Sequence, residues 1–309
     1  MTLGQLYLRL RQSWNPGKKM LALWLKQKSL LEKVAQAELK TTGTIVSFTT
    51  FSTRIHKVKY VLLSILQGTV IPEFITLYVC EKTYKEILAL HDGFITTLIE
   101  RRYLILKIVP DVRSYKKLVY ALQDFPEKNI VTCDDDVIYP AYWLQTIYQK
   151  HQEYRNEKYI VAHRAHLVST SNNRIAPYND WKKEVTQENI PAPSKLLFPT
   201  GTGGVLYPSK SMPKTTWDID LFSKYASTND DIWFWFCAQL MNRQYVLTDV
   251  SYQKKKMPEI PNYSTPNLFQ INVNENANDQ QLKNCVALFK EEFGFEVQEE
   301  NDKIQFAKN

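Results

Sequence analysis

Asn129-Ile-Val-Thr-Cys-Asp-Asp-Asp-Val-Ile-Tyr-Pro140 is the stretch from which the fold can be read. Ile130, Val131, Thr132 and Cys133 form a short run of β-favouring residues, and three acids and a proline come after it. This pattern predicts a buried strand that ends in carboxylates. Trp143, Leu144, Ile147, Tyr148 and His151 then recur at helical spacing, and Pro140 suits a first helical position. Asp134, Asp135 and Asp136 therefore fall in a strand-to-helix loop. Adjacent carboxylates repel one another, so gathering three in one loop favours a cation, and oxygen ligands suit hard ions such as Mg²⁺ or Mn²⁺. Taken alone, the triplet reads equally well as an exposed acidic turn or a helix N-cap.

Upstream, Thr44–Thr50, Phe74–Cys80 and Tyr103–Val109 read as strands separated by helical patterns, the arrangement of parallel βαβ units. The loop Phe51-Ser-Thr-Arg54 sets hydroxyls and an arginine at the C-terminal end of the first strand. Glu81 stands at the end of the second. In open α/β sheets that edge binds ligands. After the third strand, Ser114 reads as an N-cap, which places Arg113, Lys116 and Lys117 around a helix N-terminus where anions are favoured. No Gly-x-Gly-x-x-Gly fingerprint or P-loop follows the first strand. Nucleotide binding would have to use strand-end side chains and a carboxylate-held metal.

Downstream, Tyr159–His163 is a further strand. His163 and His166 point to opposite faces if the strand continues, which makes them poor partners for one metal. Thr200-Gly-Thr-Gly-Gly204 concentrates three of the chain's nine glycines before the apolar Val205-Leu-Tyr207, and the reading is a binding loop. Asp230 and Asp231 precede an aromatic helix. Capping explains one of these acids, while the other, beside Trp233 and Trp235, suits a general base in a sugar site. Gln244–Thr248 is a last strand, Lys254–Lys256 a charge run, and a helix through Phe289 ends at Gly294, a C-cap glycine.

The chain has 309 residues, 44% of them hydrophobic, and its four cysteines are too scattered for a metal or redox motif. With no membrane-spanning run and no signal-peptide pattern, the expectation is a cytoplasmic protein, at most peripheral on the inner membrane. Of the net charge of +7, six units lie within residues 1–40, where lysines and arginines accompany Leu3, Leu6, Tyr7, Leu10, Trp14 and Trp24. The body is thus nearly neutral, which argues against nucleic acid as a partner. The basic amphipathic segment suits an anionic membrane surface, or packing on the domain or a partner helix. The expected organisation is a basic helical segment over 1–40, a catalytic α/β domain over 41–256 and an extension over 257–309; oligomeric state is left open.

The ordered set Ser47–Arg54, Arg113–Lys117, Val131–Asp136, His163–His166, Thr200–Gly204 and Asp230–Trp233 resembles the bacterial family 2-like glycosyltransferases of GT-A fold. The resemblance spans about residues 44–250. It implies a GT-A α/β domain with a mostly parallel sheet. It also implies a nucleotide-sugar donor, usually a UDP-sugar, with Mn²⁺ or Mg²⁺, and transfer with inversion to a glycan or glycolipid hydroxyl in surface polysaccharide or lipooligosaccharide synthesis. Carried across, Asp136 and Asp134 hold the metal. Thr49, Arg54, Glu81, Lys117, Asp134 and Asp135 line the donor pocket, Gly203 and Gly204 meet the sugar, and Asp231 or Asp230 is the base. The late histidine that completes the metal shell in many such enzymes has no counterpart here. A Mg²⁺-dependent phosphohydrolase using Asp134 and Asp136, and a non-catalytic nucleotide-sugar or glycan-binding protein, are the competing readings.

Overall fold

The computed structural model describes residues 16–36, 43–154, 159–186, 188, 190, 193–248, 257–261, 277–300 and 303–308. Its centre is a seven-stranded sheet: β1 (Thr44–Thr49), β2 (Ile75–Val79), β3 (Leu104–Ile108), β4 (Asn129–Thr132), β5 (Tyr159–Ala162), β6 (Val205–Tyr207) and β7 (Gln244–Leu247). The spatial order is β7-β5-β6-β4-β1-β2-β3, parallel except for β6, which runs antiparallel between β4 and β5. The chain is therefore α/β with a mostly parallel sheet, as the strand pattern led us to expect.

Alternation along each strand builds two cores. Ile45, Ile130, Ile160, Val205 and Tyr245 face one side, under the helices Lys116–Asp124, Asp230–Leu240 and Ala277–Phe293. Their neighbours Val46, Val131, Val161, Leu206 and Val246 face the other side, under the helices Ile55–Leu66, Gly93–Glu100 and Trp143–Tyr154. The helix Ile55–Leu66 buries Val58, Val61, Leu62, Ile65 and Leu66 at helical spacing. Truncating a residue such as Leu62 would remove about 2–5 kcal/mol.

The helices Pro16–Leu25 and Gln27–Gln36 pack on this second layer through Leu23, Leu30 and Val34. The C-terminal helix packs Phe289 on Trp233 and Phe236, and Gly294 follows it at φ +62° as a C-cap. Beyond it, Phe295–Glu300 and Lys303–Lys308 form an antiparallel hairpin. Residues 257–260, read as the start of an extension, lie against the acidic loop: Ile138 N donates to Pro258 O (3.0 Å) and Ile260 N to Asp136 O (2.6 Å). Residues 1–15 and 37–40 of the basic helical segment and the Lys254–Lys256 run lie outside the described residues. No described helix is long and apolar enough to cross a membrane.

Candidate functional site

Because β1 and β4 are parallel and β6 is antiparallel, the loops after β1 and β4 and the loop before β6 emerge at one edge of the sheet. The acidic triplet is the centre of that edge. Tyr139 shapes it from within, its hydroxyl accepting from Asp134 N (2.9 Å) and donating to Thr202 O (3.3 Å).

Each carboxylate meets a cation, and Arg54 is shared by two of them. Asp135, buried, accepts from Thr50 Oγ1 (2.6 Å) and from Arg54 (2.9 Å). Asp136 meets Arg54 at 2.9 Å and the fully buried Lys57 at 3.9 Å, whose ammonium also donates to Ile260 O (2.8 Å). Asp134 faces Lys117 at 3.3 Å. Lys117 also reaches Asp230 (3.0 Å), which joins the triplet to the acids on the helix Asp230–Leu240. Burial opposes the charge on Lys117, yet Asp134, Asp230 and Asp231 together hold its pKa well above the ordinary lysine value.

Helix capping takes neither Asp230 nor Asp231, because Asn229 is the N-cap and accepts from Ile232 N (3.1 Å). Asp230 is tied to Lys117 and to Ser114 Oγ (3.0 Å). Asp231 accepts from Gly201 N with both oxygens (3.2 and 3.1 Å), and burial, then the neighbouring Asp230, push its pKa up to about 7. Gly201 is where these groups converge. A Cβ there would lie 2.6 Å from Lys117 Nζ, 3.3 Å from Asp231 Oδ1 and 3.6 Å from Asp134 Oδ1. The other two glycines make room for protein instead. Gly204, at φ +97°, has the Trp143 indole on its open side, and Gly203 lies against Arg164 while accepting from Trp143 Nε1 (2.7 Å).

Several expectations change in the folded chain. Ser114 is not an N-cap: it sits in a 3-10 turn, and its hydroxyl goes to Asp230. The helix after the triplet begins at Trp143 rather than Pro140. Trp233 and Trp235 offer no sugar platform, since both are buried in the core and donate to Thr216 O and Leu197 O. Glu81 is exposed and paired with Lys85 (2.6 Å), and the Thr49 hydroxyl donates to Tyr78 O (2.7 Å). His163 is buried between Thr248 (2.7 Å) and Trp143 O (3.0 Å). His166 accepts from Glu184 N, and its pKa is pushed down to about 3 by burial and by the charges of Arg164 and Lys183.

Sequence reading missed Thr50, Lys57 and Tyr139. The Arg54-x-x-Lys57 spacing, which sets both cations on one face of a first helical turn, was the available signal for one of them.

Among the described residues no group of three His, Cys, Asp or Glu side chains is placed to cage a metal. The donor chemistry still fits a hard divalent ion. Asp134, Asp135, Asp136, Asp230 and Asp231 outnumber Arg54, Lys57 and Lys117 by two charges. Asp136 is lifted to about 7 by burial and then by the neighbouring Asp135. Mg²⁺ needs only one or two protein carboxylates when substrate phosphates complete its shell.

No protein-family model matches the sequence, and no curated protein matches it. Among solved structures the chain is similar to S. aureus TarS 1-349 in complex with UDP, at 14% identity and a TM-score of 0.42, over 80% of this chain and 72% of that one. A likeness at that level fixes neither family nor activity.

Proposed function

We propose that this chain is a glycosyltransferase that moves a sugar from a nucleoside diphosphate donor, a UDP-sugar by the resemblance of its motifs, to a hydroxyl of a glycan or glycolipid. One observation carries the reading: Lys117 and Asp231, from the first turns of two helices, and Asp134, from the loop after β4, converge on Gly201 at the edge of a mostly parallel sheet where ligands bind in such folds. The charge surplus there suits a divalent ion, and the ring of bound cations suits a diphosphate.

Asp136, with Asp134, would hold Mn²⁺ or Mg²⁺, which when bound supplies charge neutralisation to a departing diphosphate. Arg54 and Lys117 would meet the donor's diphosphate, while Thr49 and Glu81 are turned to Tyr78 O and Lys85 and the Thr50 hydroxyl goes to Asp135. Asp135 holds Arg54 in place through its hydrogen bond. Asp231 is the better base of its pair. Asp230 is committed to Ser114 and Lys117, whereas Asp231 accepts from the Gly201 N–H, and burial and Asp230 raise its pKa to about 7. It would take the acceptor hydroxyl's proton at Oδ as that oxygen attacks the anomeric carbon from the face opposite the leaving diphosphate. The anomeric centre is thereby inverted.

Thermal-shift titration with a panel of nucleotides and nucleotide sugars, with and without Mn²⁺, tests the reading. One donor should stabilise the native chain in a metal-dependent way, Asp136→Ala should abolish that shift, and Asp231→Asn should keep it while losing turnover. A panel with no stabilising nucleotide, or phosphomonoester hydrolysis without an acceptor, would overturn it.

A further inference from the structure

The helix Pro16–Leu25 turns two sides to its surroundings. Leu23 is buried against the domain, while Leu21, Trp24 and Leu25, at i, i+3 and i+4, are 58%, 45% and 68% exposed. Three large apolar side chains outward on ten residues is a concentrated strip, and lysines frame it. Lys18, Lys26 and Lys28 are exposed, and their ammonium groups have no ion pair among the described residues; Glu32 is the one acid of this pair of helices. The helix that follows, Gln27–Gln36, is tied to the body: Lys33 donates to Leu66 O (3.0 Å) and Gly68 O, and Arg101 donates to Leu31 O (2.8 Å).

We infer that this strip is a docking surface for an anionic lipid bilayer, with Trp24, Leu21 and Leu25 entering the headgroup boundary and Lys18, Lys26 and Lys28 meeting lipid phosphates. The charge pattern selects this occupant. Apolar residues ringed by cations match an interface that is apolar inside and negative outside. A second copy docked face to face would instead set lysine against lysine. The buried Leu23 and the tethers of the next helix through Lys33 and Arg101 then set the body's orientation to the bilayer. A site held in that way favours acceptors presented at the membrane surface. The inference stands apart from the transfer reading, because lipid binding and donor binding are measured separately.

The test is co-sedimentation of the full chain with phosphatidylcholine vesicles and with vesicles that also contain phosphatidylglycerol. Two variants are compared, Leu21→Ser/Trp24→Ser/Leu25→Ser and Lys18→Glu/Lys26→Glu/Lys28→Glu, with Tm and oligomeric state followed alongside. The native chain should pellet with the anionic vesicles only, and each variant should lose about tenfold or more of that partitioning at unchanged Tm. Tryptophan quenching by lipids brominated on the acyl chains should fall in Trp24→Phe. Three results would overturn the inference: no partitioning of the native chain, partitioning that neither variant alters, or a serine variant that changes only Tm or oligomeric state. The last would mean that the strip packs on another part of this chain or on a second copy.

Discussion

Replacing Lys117 by methionine removes the one cation that joins the two acidic groups while keeping most of the side-chain volume. Lys117 is 7% exposed and lies 3.3 Å from Asp134 and 3.0 Å from Asp230. Removing one partner of a buried ion pair costs about 3–5 kcal/mol. Asp134 remains partly open to water, so the low end applies. A loss of about 3 kcal/mol in a domain of this size lowers Tm by about 6–12 °C. The pH dependence gives a second signature. Lys117 has its pKa raised, so in the native chain it stays charged throughout the neutral range and adds no slope there. In the variant Asp231 loses that charge, and its folded pKa, already raised by burial and by Asp230, rises further above the unfolded one. The folded state then holds more protons than the unfolded state, so stability falls as pH rises, by about 1.4 kcal/mol per pH unit for each extra proton. Urea and thermal unfolding at about pH 5 and about pH 8, without divalent ions, should show a deficit that is large at the higher pH and small at the lower. An unchanged Tm at the higher pH, or an equal deficit at both, would refute the reasoning.

Asp231→Asn should stabilise the chain by about 1–2 kcal/mol above pH 8, because the folded pKa of about 7 makes the charged form costly. That gain should vanish as pH falls toward 4, and a variant less stable than the native chain at the higher pH would contradict it. Gly204→Ala should cost about 2–5 kcal/mol, since φ is +97° and the new methyl would sit 2.7 Å from the Trp143 ring; a second change, Trp143→Leu, should recover only the steric share, as read by Tm. His166 titrates near 3 when folded against 6.5 ordinarily, so the unfolded chain takes up the extra proton between those values and stability drops as pH falls through that window. His166→Gln should flatten the acid limb of the Tm profile by up to about 1.4 kcal/mol per pH unit, and an unaltered limb would count against the buried neutral ring.

Local pattern determined a good deal of this protein. Runs such as Thr44–Thr49 and Asn129–Thr132 need only β-favouring residues and flanking breakers to be seen as strands, and Val58, Val61, Leu62 and Ile65 need only helical spacing. Asp134–Asp136 and Asp230–Asp231 stood out because carboxylates crowded together are costly wherever they fall. The positions of these groups relative to one another were not legible. Asp230 goes to Ser114 and Lys117 rather than to a cap because Asn229 takes the capping role, and Trp233 and Trp235 turn inward because the helix that carries them lies between the sheet and the C-terminal helix. Lys57 becomes a buried partner of Asp136 only when Ile260, 203 residues away, supplies its carbonyl. Sequence thus determined the elements and the charged residue types, since propensity and periodicity act within a few positions. Tertiary structure alone decided which charges share a pocket and which aromatics are core, because those outcomes depend on desolvation and on contacts between segments that no local pattern encodes.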